Sequence, residues 1–136
     1  PNAHAPTGIG WAYENRTSAI RIPSSGPKAR RIEHRTPGGD VNPYLTTAVI
    51  LGAALNGLED RAEAPAPISG NAYDHPLEQL PADWGAAIDA FEASPEIRRI
   101  LPAHLIENFV MTKRQEAHYM AELSDEETVE LYLDTV

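Results

Sequence analysis

Six side chains near the start of the chain are of the types that handle anions and metals. They are Arg16, Arg21, Lys28, Arg31, Glu33 and Arg35, five cations and one carboxylate within twenty residues. Two readings compete. In the first, the arginines flank Glu33 and simply pair with it; exposed ion pairs of this kind are common and are worth about 0–1 kcal/mol. In the second, several guanidiniums converge on a polyanion while the carboxylate holds a metal that bridges to it. Arginine suits that task because its planar fork grips carboxylate and phosphate bidentately. Glutamate suits Mg²⁺ or Mn²⁺, which prefer hard oxygen ligands and share them with phosphates. The residue types alone leave both readings open.

The elements that must position these groups are short. Thr17 to Ile22 and Arg30 to Thr36 read as strands separated by a Ser24-Ser25-Gly26-Pro27 turn, able to pair as a hairpin. A period of two puts Arg31, Glu33 and Arg35 on one face of the second strand, with Ile32 and His34 on the other. In the first strand Ile20 and Ile22 share a face and Arg21 points away from it. An isolated hairpin is marginal in water, so these strands are expected to belong to a larger sheet.

Downstream the pattern turns helical. Asn42 caps a helix with Pro43 at its first position, and Leu45, Ala48, Val49, Gly52 and Leu55 form its apolar stripe to about Gly57. Ala62 to Leu80 is rich in Pro, Ala, Gly and Asn and reads as a long loop, a length usually tied to function or mobility. Asp83 caps a short helix to about Ala93, and Ser94-Pro95 opens another that ends near Leu101. Leu105, Ile106, Phe109, Val110, Ala117, Met120 and Ala121 mark a long amphipathic helix from Pro102 to about Leu123. Ser124-x-x-Glu127 is a capping box for a final helix to about Leu133.

Bulk properties exclude several function classes. The 136 residues carry a formal net charge of -9, which repels nucleic acid and anionic membrane. Six of the eleven Lys and Arg nevertheless lie between Arg16 and Arg35, so the first quarter must face something anionic or be neutralised by the fold. The absence of cysteine excludes disulfides, thiolate metal sites and a thiol nucleophile. No apolar run is long enough to span a bilayer, and cytoplasm is the expected compartment. The chain opens on Pro1 rather than Met, as a cut, a processed end or a boundary would.

Three motifs carry a family resemblance. Asn15-Arg16-Thr17-Ser18-Ala19-Ile20-Arg21-Ile22-Pro23, Pro27-Lys28-Ala29-Arg30-Arg31-Ile32-Glu33-His34-Arg35 and Asn42-Pro43-Tyr44-Leu45 together resemble the C-terminal catalytic signature of the glutamine synthetase family. Looser likeness continues through Asn71-Ala72-Tyr73-Asp74 and Lys113-Arg114-Gln115-Glu116. The resemblance implies an ATP-dependent glutamate-amine ligase. Such an enzyme transfers the γ-phosphoryl group of ATP to the side-chain carboxylate of glutamate, and an amine then attacks the acyl phosphate. Phosphoryl transfer of this kind needs positioning and charge neutralisation more than covalent help.

Roles follow position by position as what the resemblance implies. Arg16 matches a catalytic arginine at the junction of the glutamate and phosphate sites, and Arg35 matches the arginine that grips the substrate glutamate's carboxylate. Arg21 and Arg31 match arginines on the ATP phosphates, Lys28 a lysine near the nucleotide, and Glu33 a metal-ligand glutamate for Mg²⁺ or Mn²⁺. His4 stands where ammonia-using members carry a flap glutamate. His34, Gly38 and Gly39 likewise replace an apolar residue and an Asp-Pro segment. Both departures resemble the γ-glutamylpolyamine synthetase branch, which joins glutamate to larger amines.

The family builds its site with an N-terminal domain from a neighbouring subunit and an earlier half of the catalytic domain. Glu33 is the one candidate metal carboxylate in these motifs, and a two-metal site needs several. The chain is therefore expected to be inactive alone, completed by the rest of the ligase chain and by neighbouring subunits of a homo-oligomer. A non-catalytic assembly or binding domain is the alternative, and an isolated anion binder a third.

Outside the cluster the plainer reading is preferred. Tyr73 is expected to be an exposed loop tyrosine, His104 and His118 to be solvent-facing or capping residues, and Trp11 and Trp84 to be core anchors. The expected fold class is α+β. Short antiparallel strands of a glutamine synthetase-type catalytic sheet are followed by about five α-helices, with residues 1–41 the strand and active-site region and 42–136 mainly helical.

Overall fold

The computed structural model describes residues 4–133. In chain order the elements are β1 (Trp11–Tyr13), β2 (Ile20–Ile22), β3 (Glu33–His34), α1 (Pro43–Glu59), α2 (Trp84–Ala93), α3 (Pro95–Ile100), α4 (Ala103–Met120) and α5 (Asp125–Leu133). Single 3-10 turns lie at Pro27–Ala29 and Ala72–Asp74. The α+β class is as expected from the sequence, and the residues form two compact units.

The first unit runs to Gly39 and takes in Glu63–Leu80. Its sheet has the order β1-β2-β3. The expected antiparallel pair is present, with Ile20 opposite His34 and Arg21 opposite Glu33. The strands are shorter than alternation suggested. A third strand, β1, joins β2 in parallel through Trp11 and Ile20, Ala12 and Arg21, and Tyr13 and Ile22. Its three residues are too few for a period to register. Buried Ala12 and Ala19 sit where the strands meet, and buried Ser18 donates its hydroxyl to the carbonyl of Asn15 at 2.9 Å.

The long loop belongs to this unit by hydrogen bonding. Ile68 N–H donates to the Trp11 carbonyl, Ile9 N–H to Glu78, Leu80 N–H to Thr7, and Trp11 Nε1–H to the carbonyl of Pro65. Gly10 lets the loop come close: a Cβ there would meet the tip of the Ile68 side chain, which would have to turn aside. The loop thus closes against the strands through backbone pairing that leaves no apolar period in the sequence.

In the second unit the helices start where their caps dictate. The Asn42 side chain accepts from the N–H groups of Tyr44 and Leu45, Asp83 from Ala86, and Ser94 from Ile97. At the head of α5, Ser124 Oγ accepts from Glu127 N–H at 3.3 Å while the Glu127 carboxylate accepts from Ser124 N–H at 2.8 Å, the reciprocal box read from the sequence. Ile88, Ile106 and Val110 form the buried nucleus between α2 and α4, with Phe91, Ile97, Leu101 and Ala117 against it. Full burial of such side chains is worth about 1.5–3 kcal/mol each.

α1 departs from its expected burial. Leu45, Val49 and Gly52 are partly covered, but Ala48 and Leu55 are exposed, as are Tyr44, Leu51 and Leu58. Trp84 is 37% exposed with the Lys113 ammonium 5.9 Å from its ring centroid, and Trp11 is half-buried, so neither is a deep anchor. Among the described residues no helix is long and apolar enough to cross a membrane.

Candidate active site

The basic cluster and its carboxylate are brought together in the first unit. Opposition of Arg21 and Glu33 across β2 and β3 puts both side chains on one face. Arg21 Nη1 donates to Glu33 Oε2 at 2.7 Å, while Arg31 Nη2 and Nε donate to Glu33 Oε1 at 2.5 and 3.0 Å. Both oxygens of Glu33 therefore carry guanidinium contacts. Burial pushes the Glu33 pKa up, but hydrogen bonds from Arg31 and Arg21 and their charges outweigh it and hold the carboxyl below its ordinary 4.5. Of the two arginines that flank Glu33 in sequence, Arg31 pairs with the carboxylate and Arg35 does not; the second guanidinium is that of Arg21 from the facing strand.

A carboxylate not singled out in the sequence completes this row. Glu14 follows β1 with φ 48°, a left-handed backbone that few residues other than glycine adopt. Its Oε2 accepts from Arg21 Nη2 at 2.6 Å and its Oε1 from the N–H of Ser24. The Arg21 bond, followed by the Ser24 bond, holds its pKa below the usual 4.5. Nothing in a glutamate beside Asn15-Arg16 announces this, because the contact depends on the parallel pairing of β1.

Arg16 stands apart from the row. Its guanidinium has no ion pair or hydrogen bond among the described residues, whereas its carbonyl accepts from Arg35 Nη1. The turn around it is tightly held. Asn15 Oδ1 accepts from the Thr17 N–H at 3.0 Å and hydroxyl at 2.7 Å, and Asn15 Nδ2 donates to the Gly70 carbonyl at 2.7 Å. Arg35 Nη2 donates to the His4 carbonyl at 3.0 Å, so the Arg35 fork rests on two backbone oxygens. Lys28, in the 3-10 turn, is exposed and without a side-chain partner among the described residues.

An open groove of about 810 Å³ runs along this face, lined among others by His4, Tyr13, Glu14, Arg16, Arg21 and Ile68. His4 therefore borders it, while Lys28, Arg31, Glu33 and Arg35 are not among its lining residues. His34 Nδ1 lies 3.0 Å from the Thr36 hydroxyl, and burial pushes its pKa below the usual 6.5. Tyr73 differs from expectation: it is half-buried and its hydroxyl donates to the Ala5 carbonyl at 2.6 Å. His118 is solvent-facing with Glu122 at 3.8 Å, in line with its reading.

Among the described residues no three His, Cys, Asp or Glu side chains gather as a metal site would require. Glu33 and Glu14 are joined through Arg21 rather than facing a shared cation. These residues do not by themselves make a complete metal centre. What the arrangement offers is a fixed row of alternating charge, Glu14–Arg21–Glu33–Arg31, beside one unpaired guanidinium at the groove.

Comparison with known proteins gives this geometry its context. The family model "Glutamine synthetase, catalytic domain" matches residues 1–132. Glutamine synthetase of Methanocaldococcus jannaschii is 36% identical over 124 residues, 85% of this chain and 27% of that protein. Gamma-glutamylethanolamide synthetase GlnA4 of Streptomyces coelicolor is 43% identical over 94 residues, 69% of this chain and 20% of that protein. A solved structure described as apo GmaS without ligand superposes with a TM-score of 0.74 at 34% identity, covering 92% of this chain and 30% of its own. This chain thus spans less than a third of the length of the relatives it matches. With the match running through 132 of its 136 residues, the chain belongs to the glutamine synthetase catalytic-domain family.

Proposed function

We propose that this chain is the C-terminal part of the catalytic domain of an ATP-dependent glutamate-amine ligase of the cytoplasm, inactive by itself and completed by the rest of a homo-oligomeric enzyme. The observation that carries the reading is the unpaired Arg16 guanidinium at the groove beside the clamped pair of Arg21 and Arg31. Buried or braced arginines next to a free one suit a ligand that brings several negative charges, as ATP and glutamate do.

In this reading Arg21 and Arg31 face the ATP phosphates with Lys28 nearby. Arg16 neutralises charge on the γ-phosphoryl group as it passes to the side-chain carboxylate of glutamate, and Arg35 holds the other end of that substrate. The products of this half-reaction are ADP and γ-glutamyl phosphate. An amine then attacks the acyl carbon, loses a proton and expels inorganic phosphate. Catalysis here is positioning and electrostatic stabilisation, the tasks that fixed guanidiniums perform. Glu33 would supply one oxygen ligand to a Mg²⁺ or Mn²⁺ ion whose remaining ligands come from elsewhere in the ligase. The exposed apolar side chains of α1 support a larger body around this chain, since contiguous apolar surface is normally covered.

The amine is read as larger than ammonia. His4 at the groove and 43% identity to a gamma-glutamylethanolamide synthetase both favour an alkyl amine or polyamine. A full-length gene product containing this chain is expected to release phosphate from ATP only with glutamate and an amine, faster with ethanolamine or putrescine than with ammonium; this chain alone is expected to release none. Absence of phosphate release with every amine from the full-length product sinks the ligase reading in favour of a non-catalytic assembly domain. Preference for ammonium corrects the branch alone.

A further inference from the structure

The residue that the sequence motifs do not explain is Glu14. Its left-handed backbone turns the side chain back towards β2, a conformation that costs an L-residue of order 1–2 kcal/mol and persists where surrounding contacts fix it. Those contacts are specific. One oxygen takes the Ser24 N–H, which fixes the carboxylate, and the other takes Arg21 Nη2 at 2.6 Å. Arg21 Nη1 is held by Glu33 at 2.7 Å, so the guanidinium is gripped at both ends, by a carboxylate just after β1 and by one on β3. The Arg21 side chain is only 17% exposed, and its Nε–H is buried with no partner among the described residues. A guanidinium has five N–H donors; two are used and Nε–H is buried, so the second N–H of Nη1 and that of Nη2 remain for an incoming group.

We propose that Glu14 is a positioning residue of the ligase: it locks the orientation of Arg21, and through Arg21 the Oε2 side of Glu33, so that the remaining Arg21 donors meet the phosphates of ATP without reorganisation. This rests on the ligase reading given above. The distinguishing feature is location. Glu14 lies before the family motif, borders the same groove as Arg16, and grips Arg21. With Glu14 neutral, Arg21 keeps Glu33 but loses the second anchor, and its planar fork is free to turn about the remaining bond. Loss of that pre-organisation weakens phosphate binding more than it weakens the fold.

The test uses the full-length gene product with Glu14→Gln, which keeps an acceptor for Ser24 N–H and removes the charge facing Arg21, and with Glu14→Asp as the conservative partner. Glu14→Gln is expected to raise KM for ATP about tenfold with kcat changed less than threefold and Tm within about 2 °C, and Glu14→Asp to recover part of the loss. Its crystal structure is expected to show Arg21 Nη2 moved away from the side chain at position 14 while Nη1 stays on Glu33. A KM for ATP within twofold of wild type overturns the proposal, as does a lower kcat with unchanged KM, the mark of less folded enzyme. If the wild-type product releases no phosphate from ATP, the ligase reading has failed, and the crystal structure decides: Arg21 displaced in Glu14→Gln upholds its positioning by Glu14, and Arg21 unmoved overturns it.

Discussion

The Thr17 hydroxyl accepts the backbone N–H of Ala72 at 2.9 Å, across a sequence separation of 55 residues. Ala72 is buried, so this donor has no solvent to turn to. The same hydroxyl donates to Asn15 Oδ1, which ties the turn that presents Arg16 to the long loop. Thr17→Val keeps the shape and removes both bonds. It is expected to lower the unfolding free energy by about 1–3 kcal/mol, the cost of stranding a buried donor. Urea denaturation of the purified protein measures this. A loss under about 0.5 kcal/mol rejects the loop anchor.

Gly52 and Gly57 on α1 make a matched pair with opposite expectations. A Cβ at Gly52 would come within 2.8 Å of Ile100 Cγ1 and 3.1 Å of Ile100 Cβ on α3, whereas among the described residues nothing lies within 4 Å of one at Gly57. Alanine gains about 1 kcal/mol in helix propensity at either position. At Gly52 the overpacking of α1 against α3, about 1–3 kcal/mol, offsets or exceeds that gain. Gly57→Ala is therefore expected to raise Tm and Gly52→Ala to lower it. Thermal scans of the two variants that move the same way would show that α1 and α3 are not in close contact.

The legibility of this chain follows where its information is stored. Asn42, Asp83, Ser94 and the Ser124–Glu127 box announced their helices because capping is local chemistry within three residues. The antiparallel pairing of β2 with β3 was legible from alternation in two strands joined by a turn, but the register that sets Arg21 opposite Glu33 was not. β1 was not, since a parallel pair needs a connection and Trp11–Tyr13 offers no period. Glu14 was missed for the same reason: its partners at Arg21 and Ser24 are neighbours only once β1 lies beside β2. Tyr73 was misjudged because its anchor, the Ala5 carbonyl, is backbone from the far end of the unit and carries no sequence signal. The loop reading of 62–80 anticipated irregular backbone but not the hydrogen bonds to Trp11 and Asn15 that order it.

Acid sensitivity follows from the lowered carboxylates. Glu14 and Glu33 both titrate below their ordinary 4.5 because arginine neighbours favour the charged form more strongly than burial opposes it. A folded pKa below the unfolded one means that the unfolded chain binds protons first. The stabilisation is fully present above about pH 4.5 and is lost as pH falls through the folded values. Tm measured from pH 6 down to pH 3 is expected to drop over this window, and the double variant Glu14→Gln with Glu33→Gln is expected to show a shallower drop. Equal slopes for the two proteins would mean that the row of alternating charge contributes nothing to acid stability.

Arg16 and Arg35, both read as substrate contacts, differ in what else they hold. The Arg16 guanidinium makes no hydrogen bond or ion pair among the described residues, so Arg16→Ala is expected to leave stability within about 0.5 kcal/mol of wild type, as surface substitutions generally do. Arg35 instead donates to the carbonyls of Arg16 and His4, and Arg35→Ala removes two charge-assisted hydrogen bonds. It is expected to destabilise by about 1.5–3 kcal/mol. In the full-length gene product, Arg16→Ala is expected to cost about 100-fold or more in kcat/KM for glutamate-dependent phosphate release, the scale seen when a fixed charge-stabilising donor is removed. Arg16→Lys keeps the charge but not the fork, and is expected to recover only part of it. Loss of activity without loss of stability in Arg16→Ala supports a guanidinium reserved for substrate. Full activity in that variant would leave Arg16 an ornament of the groove and shift the phosphate-gripping role to Arg21 and Arg31.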